Sequence, residues 1–228
     1  MNEKTMKTKV ITAVLILLFV GFMQKLSAEP LLGFQVSKTG DDWIGTANAT
    51  FQVVDKVNFN AELDSTGYLE LGAGYGQMLG KVYAEAFTSY GRAENVDIYD
   101  LGMFAGTALS AKVLVFASTS HQWRETKGFP VMELELFDQR EWKNSIGASY
   151  DPNEWLKLSY TFKHDRLLDG SGWLLVENDN ISSHEFMLSA KPKWVEPYFK
   201  YVYGEHRVRP GEPVTNESTV ELGVNFKF

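Results

Sequence analysis

The chain has 228 residues, a formal net charge of −7 and no cysteine. A disulfide framework is therefore excluded, and the acidic balance argues against nucleic acid, whose phosphates need a basic surface. Mean hydropathy is −0.20, a value an ordinary scan assigns to a soluble chain. A membrane barrel escapes such a scan, because its lipid-facing residues alternate with lumen-facing ones.

The first element lies outside the fold. Lys4, Lys7 and Lys9 precede an apolar run from Val10 to Phe22, and Leu26-Ser27-Ala28 follow. A basic region, a short apolar core and a small residue at the cut make a secretory signal peptide. The run is shorter than the ~18 residues of a spanning helix. Cleavage is expected after Ala28, which leaves one domain over 29–228. Residues 1–28 carry four Lys and one Glu, so the mature chain has a net charge of −10.

From residue 30 onward the sequence reads as strand after strand, without capped helix-period stretches. Twelve strands are predicted: 30–38, 43–53, 57–64, 67–77, 81–92, 98–109, 113–124, 139–150, 155–167, 183–191, 195–207 and 217–228. Several alternate strictly, the mark of a strand with one apolar and one polar face. In 57–64, Val57, Phe59, Ala61 and Leu63 oppose Asn58, Asn60 and Glu62. In 155–167, Leu156, Leu158, Tyr160 and Phe162 oppose Lys157, Ser159, Thr161 and Lys163. Pro197 stands near the start of its strand, where a lost ladder bond is tolerable.

The connections fix the topology. Links after even strands are short: 54–56, 78–80, 110–112, 151–154 and 192–194. Links after odd strands vary, and 125–138, 168–182 and 208–216 are long. Short turns at one end and long loops at the other is the outer-membrane barrel pattern, with both termini periplasmic. An apolar outer face also demands closure, since lipid offers no partner to an open sheet edge. The reading is an all-β, transmembrane, antiparallel up-and-down β-barrel of about 12 strands. Trp155 and Trp194 at one end, and Trp43, Trp123 and Trp142 at the other, fit two aromatic girdles.

The last strand sets Val220, Leu222, Val224, Phe226 and Phe228 against Thr219, Glu221, Gly223, Asn225 and Lys227. An alternating final strand ending in Phe resembles the assembly signal of Gram-negative outer-membrane barrels. That implies the barrel-assembly machinery as a partner of Phe228. Together with Glu196-Pro197-Tyr198 at the approach to strand 195–207, the size, strand number and loop pattern resemble the oligogalacturonate-specific porin family. The resemblance implies a channel for acidic sugars with basic tracks in its lumen. Lys143, Lys157, Lys163 and Lys200 are the nearest equivalent here.

The polar faces supply the expected lumen charges. Pore-lining candidates are Glu62, Glu70, Lys81, Glu85, Asp100, Lys143, Lys157, Lys163 and Lys200. Glu141, Asp165, Glu185, Glu196, Glu221, Lys191 and Lys227 extend the set. Acids dominate the strands from 57 to 109, whereas Lys and acids mix beyond 139. A transverse field that orients charged solutes is expected, with a weak preference for cations. About 12 strands leave a narrow pore, between packed 8-strand barrels and open 16-strand porins. All six Arg fall near predicted extracellular ends. Arg92, Arg124, Arg166 and Arg207 are candidates for a collar on lipopolysaccharide phosphates or anionic solutes, because guanidinium forks onto such groups.

His121, His164, His184 and His206 are also expected at that rim. Ser120-His121 and Ser183-His184 are chain neighbours on strands, so their side chains point to opposite faces and cannot pair as nucleophile and base. The His-x-Ser-Asn-Gly pattern of outer-membrane phospholipases and His-Glu-x-x-His metal spacing are both missing. The expected function is passive diffusion of small hydrophilic solutes, saccharides among them, by a monomeric, non-enzymatic barrel in outer-membrane lipid, without cofactor or metal. Two other readings stand beside it: a closed structural or adhesion barrel displaying its loops, and a rim hydrolase acting on lipid.

Overall fold

Each alternating segment pairs with its neighbour in the chain. A computed structural model describes residues 30–93, 96–126, 139–170, 180–208 and 214–227. Its strands are β1 (Leu31–Thr39), β2 (Asp42–Val54), β3 (Val57–Asp64), β4 (Leu69–Leu79), β5 (Val82–Arg92), β6 (Val96–Ser110) and β7 (Val113–Thr126). They continue as β8 (Gln139–Asn153), β9 (Leu156–Gly170), β10 (Asn180–Ala190), β11 (Val195–Gly204), β12 (His206–Arg207), β13 (Val214–Thr215) and β14 (Thr219–Lys227). Strands β1 to β11 and β14 form a closed antiparallel barrel, and β12 with β13 makes a separate two-stranded ladder. β14 pairs on one side with β11 and on the other with β1, from Leu31↔Lys227 to Thr39↔Thr219. The sheet thus has no free edge, which an outward apolar face requires.

Closure puts one parity of every strand outside. On the outer face, Phe34, Leu71, Leu101, Ile146, Leu158, Phe186 and Leu222 remain exposed. The inner face holds the polar parity, with glycines where a ring or carboxylate from the next strand lies flat against the wall. A Cβ on Gly102 would meet Phe87 Cζ at 2.5 Å, and one on Gly147 would meet Phe116 Cζ at 2.5 Å. Tyr83 lies over Gly76 and Tyr198 over Gly223 in the same way. Because these glycines have no side chain, the rings flatten against the wall instead of filling the lumen.

The connection pattern follows the parity read from the sequence. Asp55-Lys56, Gly80-Lys81, Ala111-Lys112, Glu154-Trp155 and Lys191–Trp194 close one end of the barrel with short turns. Leu31 and Lys227 lie at that same end. The three longest connections, after β7, β9 and β11, share the opposite end. Loops 125–138 and 168–182 lie largely outside the described residues, as do residues 1–29 and Phe228.

Strand ends shift by up to three residues from the sequence expectation, and two of the shifts bear on the site. The fifth strand starts at Val82 instead of 81, so Lys81 sits in the turn and is exposed rather than lining a pore. The strand predicted over 195–207 stops at Gly204, where φ is +95°. The chain turns inward there, and residues 206–207 pair with 214–215 instead of continuing the wall.

Candidate functional site

The lumen has two unlike sides. Glu62 on β3, Glu70 on β4, Glu85 on β5 and Asp100 on β6 all lie on the inner parity. The register places Glu62 opposite Glu70, Gly76 opposite Glu85, and Ser89 opposite Asp100. No Lys or Arg occupies the inner parity of β3 to β6. Among the described residues, these acids have neutral partners at most. Glu70 accepts from Tyr68 Oη at 2.6 Å. Glu85 accepts from Tyr83 Oη at 2.5 Å and Asn58 Nδ2 at 3.3 Å. Asp100 Oδ2 accepts from Gln122 Nε2 at 3.1 Å, while its Oδ1 is buried without a partner. Glu62 makes no hydrogen bond or ion pair among the described residues.

Asp64 has a different task. Its Oδ1 accepts the backbone N–H groups of Thr66 at 2.7 Å and Tyr68 at 3.0 Å, which closes the β3–β4 turn. Burial, with Glu70 adding to it, pushes the Tyr68 phenol above its ordinary range, so it stays a donor to that carboxylate.

Across the lumen, carboxylates are neutralised. Lys163 Nζ is 2.6 Å from Glu185, Lys200 Nζ 2.9 Å from Glu221, and Lys227 Nζ 2.7 Å from Glu196. Glu141 holds two guanidinium groups: Arg124 on one oxygen and Arg207, at 2.7 Å, on the other. Asp165 stands opposite Lys143 in the ladder. Among the described residues, the inward acids of the β3 to β6 arc thus have no cationic partner, whereas most acids of the arc across the lumen pair with Lys or Arg.

Between the arcs lies a cavity of about 430 Å³, lined among others by Glu62, Asp100, Ser120, Lys143, Lys163, Glu185, Lys200, Arg207 and Glu221. Five of the nine pore-lining candidates thus meet around one space, Glu62, Asp100, Lys143, Lys163 and Lys200, joined by Asp165, Glu185, Arg207 and Glu221 from the wider set. Glu70, Glu85 and Lys157 share the inner parity but do not border this cavity.

The arginine collar divides. Arg92 and Arg166 point outward and are exposed, and Arg92 lies 3.7 Å from Asp97. Arg124 and Arg207 turn into the lumen instead. Arg124 is only 3% exposed and donates to Gln122 at 2.9 Å and Gln139 at 2.8 Å besides Glu141. Parity explains Arg124: Ile98 and Gln139, its ladder partners, lie on the inner side with it. Nothing in local pattern announced Arg207. The one available signal was Gly204, which interrupts the alternation and marks a bend. Lys191, taken as a lumen base, lies past the end of β10 and bonds Asp151 at 2.7 Å.

The histidines separate as well. His121 faces out, its ring tilted against Trp123 at 4.3 Å between ring centroids. His184 sits outside among Tyr160, Phe162, Phe186 and Tyr203. His206 is inside and buried. The neighbour pairs Ser120-His121 and Ser183-His184 split across the wall as strand geometry demands. A cross-strand pair does form: His164 Nδ1 is 2.9 Å from Ser182 Oγ on the outer face. Asn144 bonds the carbonyl of His164 rather than its ring. Among the described residues, the imidazole therefore lacks the third group that orients a general base. Among the described residues, no group of three or more His, Asp or Glu is disposed to hold a metal ion.

No protein-family model matches the sequence, and no curated protein does either. Solved structures share the fold. The NanC porin aligns over 87% of this chain and 100% of its own, with a TM-score of 0.71 and 10% identity. The KdgM porin aligns over 87% and 99%, with a TM-score of 0.62 and 12% identity. The COG4313 outer membrane channel from Pseudomonas putida F1 aligns over 89% and 96%, at 0.60 and 13% identity. A KdgM structure is described in complex with disordered oligogalacturonate.

Proposed function

We propose that this barrel is an outer-membrane channel for passive diffusion of small hydrophilic solutes, saccharides among them. The observation that carries the reading is the cavity enclosed by twelve strands, lined mostly by hydroxyls, amides and charges, with Ile44, Phe87, Ile181, Val202 and Val208 between them. A filled barrel stabilised by its interior would pair its charges throughout, since unpaired interior charge is costly. Here, among the described residues, the arc from β3 to β6 leaves carboxylates without cations, which is tolerable where water reaches them. The fold shared with porins and an outer membrane channel supports the same reading.

The setting follows from it. The short-turn end is periplasmic and the long-loop end extracellular. Residues 1–28 are the cleaved signal peptide. Phe228 completes the strand read by the barrel-assembly machinery. The monomer sits in outer-membrane lipid, with Arg92 and Arg166 directed outward at the level of lipopolysaccharide phosphates. The acidic arc gives the pore a preference for cations.

The test is single-channel recording of the refolded protein in planar bilayers under a salt gradient. Steady conductance with a reversal potential displaced toward cations is expected. Silence in the bilayer, together with liposomes that exclude every small sugar tried, would replace the channel by a closed structural barrel.

A further inference from the structure

At the long-loop end, the chain leaves β11 by folding into the barrel. A Cβ at Gly204 would meet the Ser182 carbonyl oxygen at 2.6 Å, and the residue's φ is +95°, so only glycine takes this turn without strain. The next segment is fixed at its root. His206 Nδ1 is 2.9 Å from Gly204 O, and its Nε2 is 2.9 Å from Thr219 Oγ1. Thr219 Oγ1 is in turn 2.6 Å from Thr39 Oγ1, so the root is tied to β14 and β1. The β12–β13 ladder then holds Arg207 opposite Val214.

From that position Arg207 reaches Glu141, with Nη2 at 2.7 Å and Nε at 3.2 Å from Oε1. Glu141 stands on β8, three strand spacings from β11 in a ring of twelve. Arg207 therefore draws a chord across a quarter of the ring. Glu205, His206, Arg207 and Val208 border the same cavity as Glu62 and Asp100. Whatever passes this level moves between the strap and the acidic arc.

We infer that the strap Gly204–Val208 is the selectivity element of the pore, with Arg207 as the residue that sets aperture and charge there, held across the lumen by Glu141. The inference rests on the channel reading. Three physical points support it. The barrel does not need the strap for closure, because β11 pairs directly with β14 from Val195 to Val202. The strap reaches β8 through the fork of Arg207 on Glu141, so loss of either partner removes that tie. Arg207 and Arg124 meet at Glu141, across the lumen from the acidic arc, and Glu205 borders the same cavity. A narrow passage with unlike charge on its two sides discriminates by charge as well as by size.

The experiment records conductance and reversal potential for the wild type, Arg207→Ala, Arg207→Lys and Glu141→Gln. Each is first shown to be folded by its heat-modifiable mobility on gels. Arg207→Ala is expected to raise conductance roughly twofold and to move the reversal potential toward cations, since a pore-lining positive charge is gone. Glu141→Gln also raises conductance but moves the potential toward anions, because Arg124 and Arg207 both remain. Arg207→Lys keeps the charge and loses the fork, so conductance rises without a shift in selectivity. If Glu141→Gln fails to fold, the two Arg207 variants carry the test. Folded Arg207 variants with wild-type conductance and selectivity overturn the inference and leave the channel standing. A silent wild type beside a conducting Arg207→Ala supports the strap as the element that closes the pore. Silence in all four removes the channel and the strap's role together.

Discussion

Glu62 on β3 and Glu85 on β5 both lie on the inner parity, with β4 between them, yet their surroundings differ. Glu62 borders the cavity and has no partner among the described residues. Glu85 lies flat over Gly74 and accepts from Tyr83 and Asn58, away from the cavity. A fixed charge acts on ions over about a Debye length, ~8 Å at physiological salt. Glu62→Gln is therefore expected to shift the reversal potential toward anions, and Glu85→Gln to shift it much less. Equal shifts would place the limiting section nearer the short-turn end. Residues set in ion pairs behave differently. Removing one partner of the buried Arg124–Glu141 pair costs on the order of 3–5 kcal/mol in such environments, whereas lumen substitutions away from such pairs mainly tune selectivity.

Strands differ in what their two faces tolerate. On β8, Ile146 points outward and is 61% exposed, while Ser145 and Gly147 point inward. Ile146→Arg puts a charge on the lipid face near mid-strand, with an expected loss of about 2–4 kcal/mol. Ser145→Arg places the same charge in the cavity and should leave unfolding in denaturant near wild type. A stability loss of the same size for both would mean that the outer face of β8 is not in lipid. The glycines opposite Phe87 and Phe116 show the complementary constraint. A strand that carries a flat ring needs a neighbour with nothing to collide with it.

At the scale of the whole molecule, the closed ring segregates its connections. Short turns gather at one end and the three longest links at the other. An antibody tag placed in the 168–182 connection should be reached on intact cells, and one at 151–154 only after the outer membrane is opened. The reverse labelling would invert the orientation and, with it, the side from which solutes meet the strap. The uneven pairing of charge is likewise a property of the ring as a whole. It arises because β3 to β6 carry acids alone on the inner parity while β8 to β14 carry both signs, and closure turns these two stretches of sequence toward each other.

The sequence by itself determined the strand number, the up-and-down order and the inner or outer side of most residues. Alternation has period two and is local, so a residue's side follows from its neighbours once one face must be apolar. Glu62, Asp100, Lys143, Lys163 and Lys200 were legible for that reason. Lys81 was misplaced because a shift of one residue at the start of β5 moves a side chain from wall to turn, and strand ends carry weak local signals. Only the tertiary structure decided which charges neutralise one another and where the chain crosses the lumen. Lys200 finds Glu221 on the neighbouring strand, and Arg207 finds Glu141 at 66 residues' separation. Such contacts depend on register, on the closure of β14 against β1, and on a single left-handed turn at Gly204. These are set when the whole ring assembles, and no window of sequence shorter than the barrel contains them.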